Sequence, residues 1–562
     1  MIELHQRRQI ELSWGENMSA VRHRGSRRQC GAVLVLALIF LMIFSALAVA
    51  LAASSGANVQ VASNQRYANG ALHAAQVGLE CAKYIVRTVT LPETGMNTVS
   101  DAEADTVWAN LCVYLQTRAL DGKAVSAASR FADAHGAGDQ IVTQTMDFAT
   151  PCLRFTVRLY RYDADRRTLK VQSIGTEGDA SRQVAMDMAV TKDREVLSYA
   201  VAGRGRMWLT GTTTIHGDVF STWNRAGVSP FNMTSDSAVL GTVNTVRTLS
   251  QIQNDTYQLE TLNADDLPLD IHGDPLGDNY DERYYGSYDE VQGYHEGINY
   301  GQPYNDMPGM NISDYNTDVY KTGLTTITGT GVPKVTEYFP HAAGNYSQPR
   351  DGGSTSFSRY KYESQTFSNA ILPVNRHALF KNCTFQDVLY IEASKTSTSK
   401  SYTNNVRFEN CTFNGVVVTN TPQSFNWVNN CLYFTGEATF NNQSSVQEAT
   451  VLAPHFNVNL GNTNPQHSDN NVLTGAIVGG IVDIRGNAQI YGTIISMCDT
   501  SSWTSGYVTN IGATLGDGGS ETTELGDVGV ISITPEEDMM LPSGITSPIV
   551  IKPNPQTYSE CL

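Results

Sequence analysis

The stretch AVLVLALIFLMIFSALAVALAA, residues 32–53, decides how the rest of this sequence is read. Ser45 is its one polar residue, and a helix of this length extends about 33 Å, enough to cross the hydrocarbon core of a bilayer. Arg22, Arg24, Arg27 and Arg28 precede it, whereas no charge follows until Arg66. That asymmetry puts the N-terminus in the cytoplasm and exports everything after Ala53. Ala48-Val49-Ala50 would suit a secretory cleavage site, but the apolar core of such a signal covers only about 7–15 residues. A single-pass anchor is therefore expected. No proline follows until Pro92, and Tyr67, Ala71, Ala75, Leu79, Ala82 and Val86 keep helical spacing, which predicts one helix from Ala32 to about Val89. Gly56, Gly70 and Gly78 each cost about 1 kcal/mol relative to Ala, predicting a kink or fray near Gly56.

Working outward, 562 residues argue for about three domains. With 41% hydrophobic and 17% charged residues the chain is not disordered, and its 47 Gly with many Asn, Thr and Ser predict short strands and many turns. The expected class is α+β, mostly β. Net charge is −17, and because the first 53 residues hold more Arg than Glu, the exported body is more acidic still. Such a body repels phosphate backbones, so no nucleic-acid partner is expected.

The leader ending SRRQCG, the apolar run and the downstream ANGALHAAQVGLECA resemble the N-terminal region of PilX-type minor pilins and of tip pseudopilins of type II secretion. The stretch VQSIGTEGDASRQVAMDMAV (Val171–Val190) is similar to the last strands of such domains. The resemblance implies a leader, residues 1–31, cut by a prepilin peptidase between Gly31 and Ala32. It also implies that a helix over 32–90, with Ala32, Leu36, Phe40, Phe44 and Ala53 in its anchor, sits first in the bacterial inner membrane and then against the helices of other pilin-like subunits. Two residues depart from the pattern. The fifth mature position, a Glu in major pilins, is Leu36, and the usual Glu of the A-A-E step is Gln76. Without that carboxylate the chain cannot neutralise a neighbour's buried amine, which suits a scarce tip subunit.

Residues 91–195 read as a small pilin-like domain, with a helix near Val107–Arg118 and a hairpin of Cys152–Asp163 and Thr168–Gly175. From 196 to 500 short β segments recur. GTTTIHG (Gly211–Gly217), GLTTITG (Gly323–Gly329) and GNAQIYG (Gly486–Gly492) share G-x-x-x-I-x-G. KNCTFQDV, ENCTFNGV and NNCLYFTG carry Cys383, Cys411 and Cys431. One short apolar strand per 20 to 28 residues predicts a large right-handed parallel β-helix-like solenoid with insertions, its core holding Ile215, Ile327, Ile490 and a stack of Cys383, Cys411 and Cys431. Residues 501–562 are read as a C-terminal β segment or tail.

An acidic, Tyr-rich insertion, 274–320, contains one basic residue, Arg283, and is expected to be an excursion rather than a rung; calcium or a surface ligand are its functional readings. One disulfide among Cys81, Cys112 and Cys152 fits an exported domain. No cofactor or metal is expected, since C-x-x-C and H-x-x-x-H spacings are missing. Asp387 with Glu392, and Asp483 with Arg485, are the candidate catalytic groups of a β-helix acting on polysaccharide, but they read better as charges on the rung surface. The expected protein is not an enzyme. It is a minor subunit of a type IV pilus or type II secretion pseudopilus that works in filament assembly or tip contact. Its body would be periplasmic or at the cell surface, with a carbohydrate or protein as ligand. An anchored carbohydrate-active β-helix enzyme or adhesin is the rival.

Overall fold

The computed structural model describes residues 30–561, apart from 119–122, 254–293, 303–306, 311–314, 350–354, 442–448, 462–470, 500–507, 513–529 and shorter breaks. The leader, and most of the acidic insertion with the calcium reading placed on it, lie outside the described residues. One helix, α1 (Cys30–Thr88), runs unbroken through Gly56, where a fray was predicted. Its second half buries Ala71, Ala74, Ala75, Leu79, Ala82 and Val86 against an antiparallel sheet. Gly78 on this helix and Gly175 on the facing sheet serve close approach. A Cβ on Gly78 would lie 2.2 Å from Ser173 Oγ, and one on Gly175 would lie 2.1 Å from the Ala71 carbonyl oxygen. Ser173 and Gly175 thus line the groove that admits the small-residue stripe of the helix. The second helix, α2 (Asp101–Thr117), begins before its predicted start because Ser100 and Glu103 form a capping box.

The sheet comprises β1 (Glu93–Thr94), β2 (Ser129–Asp133), β3 (Gly136–Val142), β4 (Met146–Phe148), β5 (Thr150–Tyr162), β6 (Asp165–Glu177) and β7 (Ala180–Lys192). The predicted hairpin is β5–β6. A further strand, Ser547–Cys561, lies between β1 and β7, antiparallel to both, with Ile549 opposite Lys192 and Glu93 opposite Pro548. Residues 501–562 are therefore not one terminal unit. Val530–Thr534 is a solenoid strand, and the last strand completes the small sheet by burying Ile549 and Ile551 on the α1 side. The solenoid is an insertion within the small domain, spanning 193–546.

Parallel pairing builds the solenoid from three columns of inward side chains. The longest runs through Ala370, Leu389, Val417, Val451, Ile477, Ile494, Val201, Val219, Val243 and Ile298 in register. The chain does not climb this stack monotonically. It enters at mid-height with Tyr199–Gly203 and builds outward to Tyr294–Asn299. From the opposite end it then winds back, until Val530–Thr534 fits between Thr212–Ile215 and Ala488–Tyr491. This explains the similarity of two distant repeats, because Ile490 and Ile215 flank Ile533 in one column. Ile327 is buried in the same core but stands elsewhere, at the far end beyond Leu372, its N–H donating to Ile371 O. The third G-x-x-x-I-x-G copy is therefore not an equivalent rung. Tyr294–Asn299, inside the predicted excursion, is itself a rung, paired with Ala238–Thr245.

Two aromatic ladders fill the opposite end. Tyr362, Phe380, Phe408 and Phe434 stack at centroid spacings of 5.0, 5.5 and 4.9 Å. Phe367, Phe385, Phe413 and Phe440 stack at 5.5, 5.1 and 4.4 Å. The ladders meet edge to face, as Phe408 does with Phe385 and Phe413. The corner joining them needs a left-handed residue, supplied by Ser364, Asn382, Asn410 and Gly436. After that corner Cys383 and Cys411 occupy equivalent positions on successive rungs, each thiol donating to a backbone carbonyl, Cys383 to Tyr362 O at 3.6 Å and Cys411 to Phe380 O at 3.4 Å. Cys431 does not continue the column. It sits on another sheet opposite Asn405 and Asn457, and Ala438, two residues after the Gly436 corner, takes the equivalent position. The sequence repeat aligns Cys431 on N-C, whereas the register follows the two phenylalanines, spaced F-x-x-x-T-F in the Phe380 and Phe408 rungs and one residue wider, F-x-x-x-x-T-F, from Phe434 to Phe440. None of the eight described cysteines is in a disulfide.

The long column's sheet is apolar on its outer face too, through Phe220, Ala202, Ile495, Val478, Leu452, Val418 and Tyr390, and Met307, Met310 and Tyr320 cover it. On the neighbouring sheet the segment Lys334–Pro349 lies over a buried charge group. Glu337 accepts from Arg359 and from Arg407 at 3.0 Å, and Arg407 also reaches Glu409 at 3.0 Å. Arg359 is fully buried.

Candidate assembly site

Among the described residues the N-terminal half of α1 is exposed along its whole length. Leu36 is 58%, Phe40 52% and Phe44 65% exposed, and Ala32 and Ala53 are exposed as well. Apolar on every side, this half lacks the polar stripe of a surface helix and requires lipid or other apolar helices around it. Gly31 and Ala32 lie in its first turn, and a Cβ built on Gly31 would meet no atom within 4 Å. The first turn contains no acidic residue, and Leu36 follows it. Gln76, at the second departure from the pilin pattern, donates to the Tyr558 hydroxyl at 3.4 Å and so ties α1 to the C-terminal strand.

Asp387 and Glu392 are held apart on their rung. Asp387 has a φ of 59° and accepts from the Asn369 amide at 3.2 Å. Glu392 is paired with Lys321 at 2.5 Å, and five residues of strand separate it from Asp387, about 16 Å. That exceeds the roughly 5–9.5 Å spacing used in glycoside cleavage. Asp483 is not a solvated rung charge. It is 5% exposed, in register with Asn459 and Asn510 on a covered face, so its replacement is not expected to be silent. The Arg485 side chain lies outside what is described. Among the described residues no cluster of three or more His, Cys, Asp or Glu could hold a metal ion.

A recess of about 1040 Å³ lies where the small domain meets the solenoid, lined by Arg87, Arg194, Glu195, His216, Glu536 and Lys552 among others. Its charges are of both signs and partly satisfied within the chain, since Arg194 donates to Met539 O at 3.3 Å and Lys552 lies 3.8 Å from Asp193.

Residues 31–80 match the family model described as PilX N-terminal. No curated protein matches the chain. Among solved structures it is similar to the competence-associated pilin ComZ from Thermus thermophilus, at 14% identity over 88% of this chain and 98% of that one, with a TM-score of 0.25. A score of that size does not establish a shared fold. The matched stretch is the apolar half of α1 together with the stripe that docks on the sheet, so it is in its N-terminal region that this chain is similar to PilX-type minor pilins.

Proposed function

We propose that the chain is a scarce, membrane-inserted subunit of a type IV pilus or type II secretion pseudopilus, working in filament assembly or tip contact, with the solenoid as its exported, non-catalytic head. The observation that carries this reading is a helix that is apolar all round over its first half and buried against its own domain only from Ala71 onward. A helix left bare in this way suits exchange from lipid to a bundle of neighbouring helices. The scattered positions of Asp387, Glu392 and Asp483 favour a binding head over a glycan-cleaving one.

Processing by a prepilin peptidase should give a mature chain starting at Ala32. N-terminal sequencing of the membrane-extracted protein checks this, and a start near Ala53, or an intact Met1 in cells with active peptidase, would remove the pilin reading. Because Leu36 supplies no carboxylate for a repeating axial contact, the chain should be a minor component by quantitative mass spectrometry of sheared filaments. Finding it as the dominant subunit would sink the tip assignment. Incubating the protein with acidic and neutral glycans tests the rival, since turnover would make it an enzyme.

A further inference from the structure

The chain leaves the small domain at Lys192 and returns to it at Ser547, and these two points touch. Asp193 N–H donates to Pro548 O at 2.7 Å, and the Ser547 hydroxyl donates to Asp193 O at 2.6 Å. Lys192 is 2% exposed, and its ammonium donates to the carbonyls of Ile545 and Pro542 on the returning segment. The returning segment thus supplies two of the oxygens around this buried ammonium. The solenoid is built so that its ends coincide. Tyr199–Gly203 and Val530–Thr534 both flank the Thr212–Ser221 segment, and the chain's return is fixed by Ile533 between Ile490 and Ile215.

We propose that the folded solenoid is a clasp that delivers the C-terminal strand, making completion of the small domain conditional on folding of the insertion. When the solenoid is folded, Lys192 and Ser547 are joined as if by a loop of a few residues. When it is unfolded, several hundred residues of free chain separate them, and the probability of closure falls as the three-halves power of loop length, roughly a thousandfold. Ser547–Cys561 supplies Ile549 and Ile551 to the core on which α1 docks. A subunit whose head has not folded would therefore present α1 on an incomplete sheet. The inference stands on topology and does not depend on the pilus reading.

The test uses hydrogen exchange on the full-length chain in detergent. The double variant I490D/F408A opens the solenoid from two separate columns. It should lower protection of β7 and Ser547–Cys561 by two orders of magnitude or more, although no changed residue lies there. Thr191 and Val550 face each other across the β7 pair and flank hydrogen-bonded Asp193–Pro548 by two residues, so their Cα atoms are about 5.5 Å apart, within the reach of a disulfide. Adding T191C/V550C and oxidising should restore protection in the small domain while the solenoid stays open. The proposal is overturned by wild-type protection of β7 in the double variant, or by failure of the oxidised clasp to restore it. Retained protection in Thr384–Ile391 would contradict the core packing on which the inference stands.

Discussion

Phe408→Ala is expected to destabilise the solenoid by about 3–5 kcal/mol, the usual range for truncating a buried Phe, with further loss from its stacked neighbours at about 0.5–1.5 kcal/mol per aromatic pair. Phe408 is 1% exposed and touches four other rings, two in its own ladder and two in the next. Phe367 ends the second ladder and is only partly buried, so F367A should cost distinctly less. The comparison separates a cooperative stack from simple area burial. Denaturant titration of the detergent-solubilised chain, followed by near-ultraviolet circular dichroism, reads both. Equal losses for the two variants, or a loss below about 1 kcal/mol for F408A, would refute the ladder as the main source of stability at that end.

That ladder also marks what the residues did and did not disclose. The anchor was legible because hydropathy and charge asymmetry are local properties of consecutive residues. The parallel solenoid was legible from the recurring N-C and G-x-x-x-I-x-G segments, since stacked rungs need similar side chains at the same corner. Register was not. Cys431 copies the N-C dipeptide of Cys383 and Cys411, yet the corner in its rung is made by Gly436, so the functional equivalent of a cysteine there is Ala438. Backbone φ decides the column, and a left-handed position can be Ser, Asn or Gly.

Order in space was equally hidden. Nothing local distinguishes a strand that continues a stack from one that closes it, as Val530–Thr534 does, or from one that leaves for another sheet, as Ser547–Cys561 does. A C-terminal β segment could be read in 501–562, but the partner of Ser547–Cys561, β7, lies across the whole insertion. The charge group was missed for the same reason. Glu337, Arg359 and Arg407 come from three separate strands, and each reads alone as a surface residue.

Replacing one member of that group should have the other large effect. Burial pushes the Glu337 carboxyl pKa up, and the Arg359 and Arg407 guanidiniums more than reverse this, holding it below the ordinary carboxylate value. A carboxyl depressed in the folded state contributes stability that is fully present above its unfolded value, about 4.3, and is lost as pH falls through the folded value. Acid should therefore loosen the Lys334–Pro349 cover below about pH 4 in the wild type. Glu337→Gln keeps the shape but leaves two buried guanidiniums facing each other, at an expected cost of about 3–5 kcal/mol at neutral pH. The same change should flatten this part of the acid dependence, because no proton is then taken up. Joint replacement of Glu337 and Arg359 by Met and of Arg407 by Leu removes charges of both signs, and Glu409 keeps its pairing with Lys381 at 2.6 Å. That variant should recover most of the loss, since the desolvation cost of the charges disappears with them. Stability curves of the three proteins between pH 3 and 8 decide the matter: an E337Q chain as stable as wild type, with its acid limb unchanged, would show that the group neither holds the cover nor titrates with it.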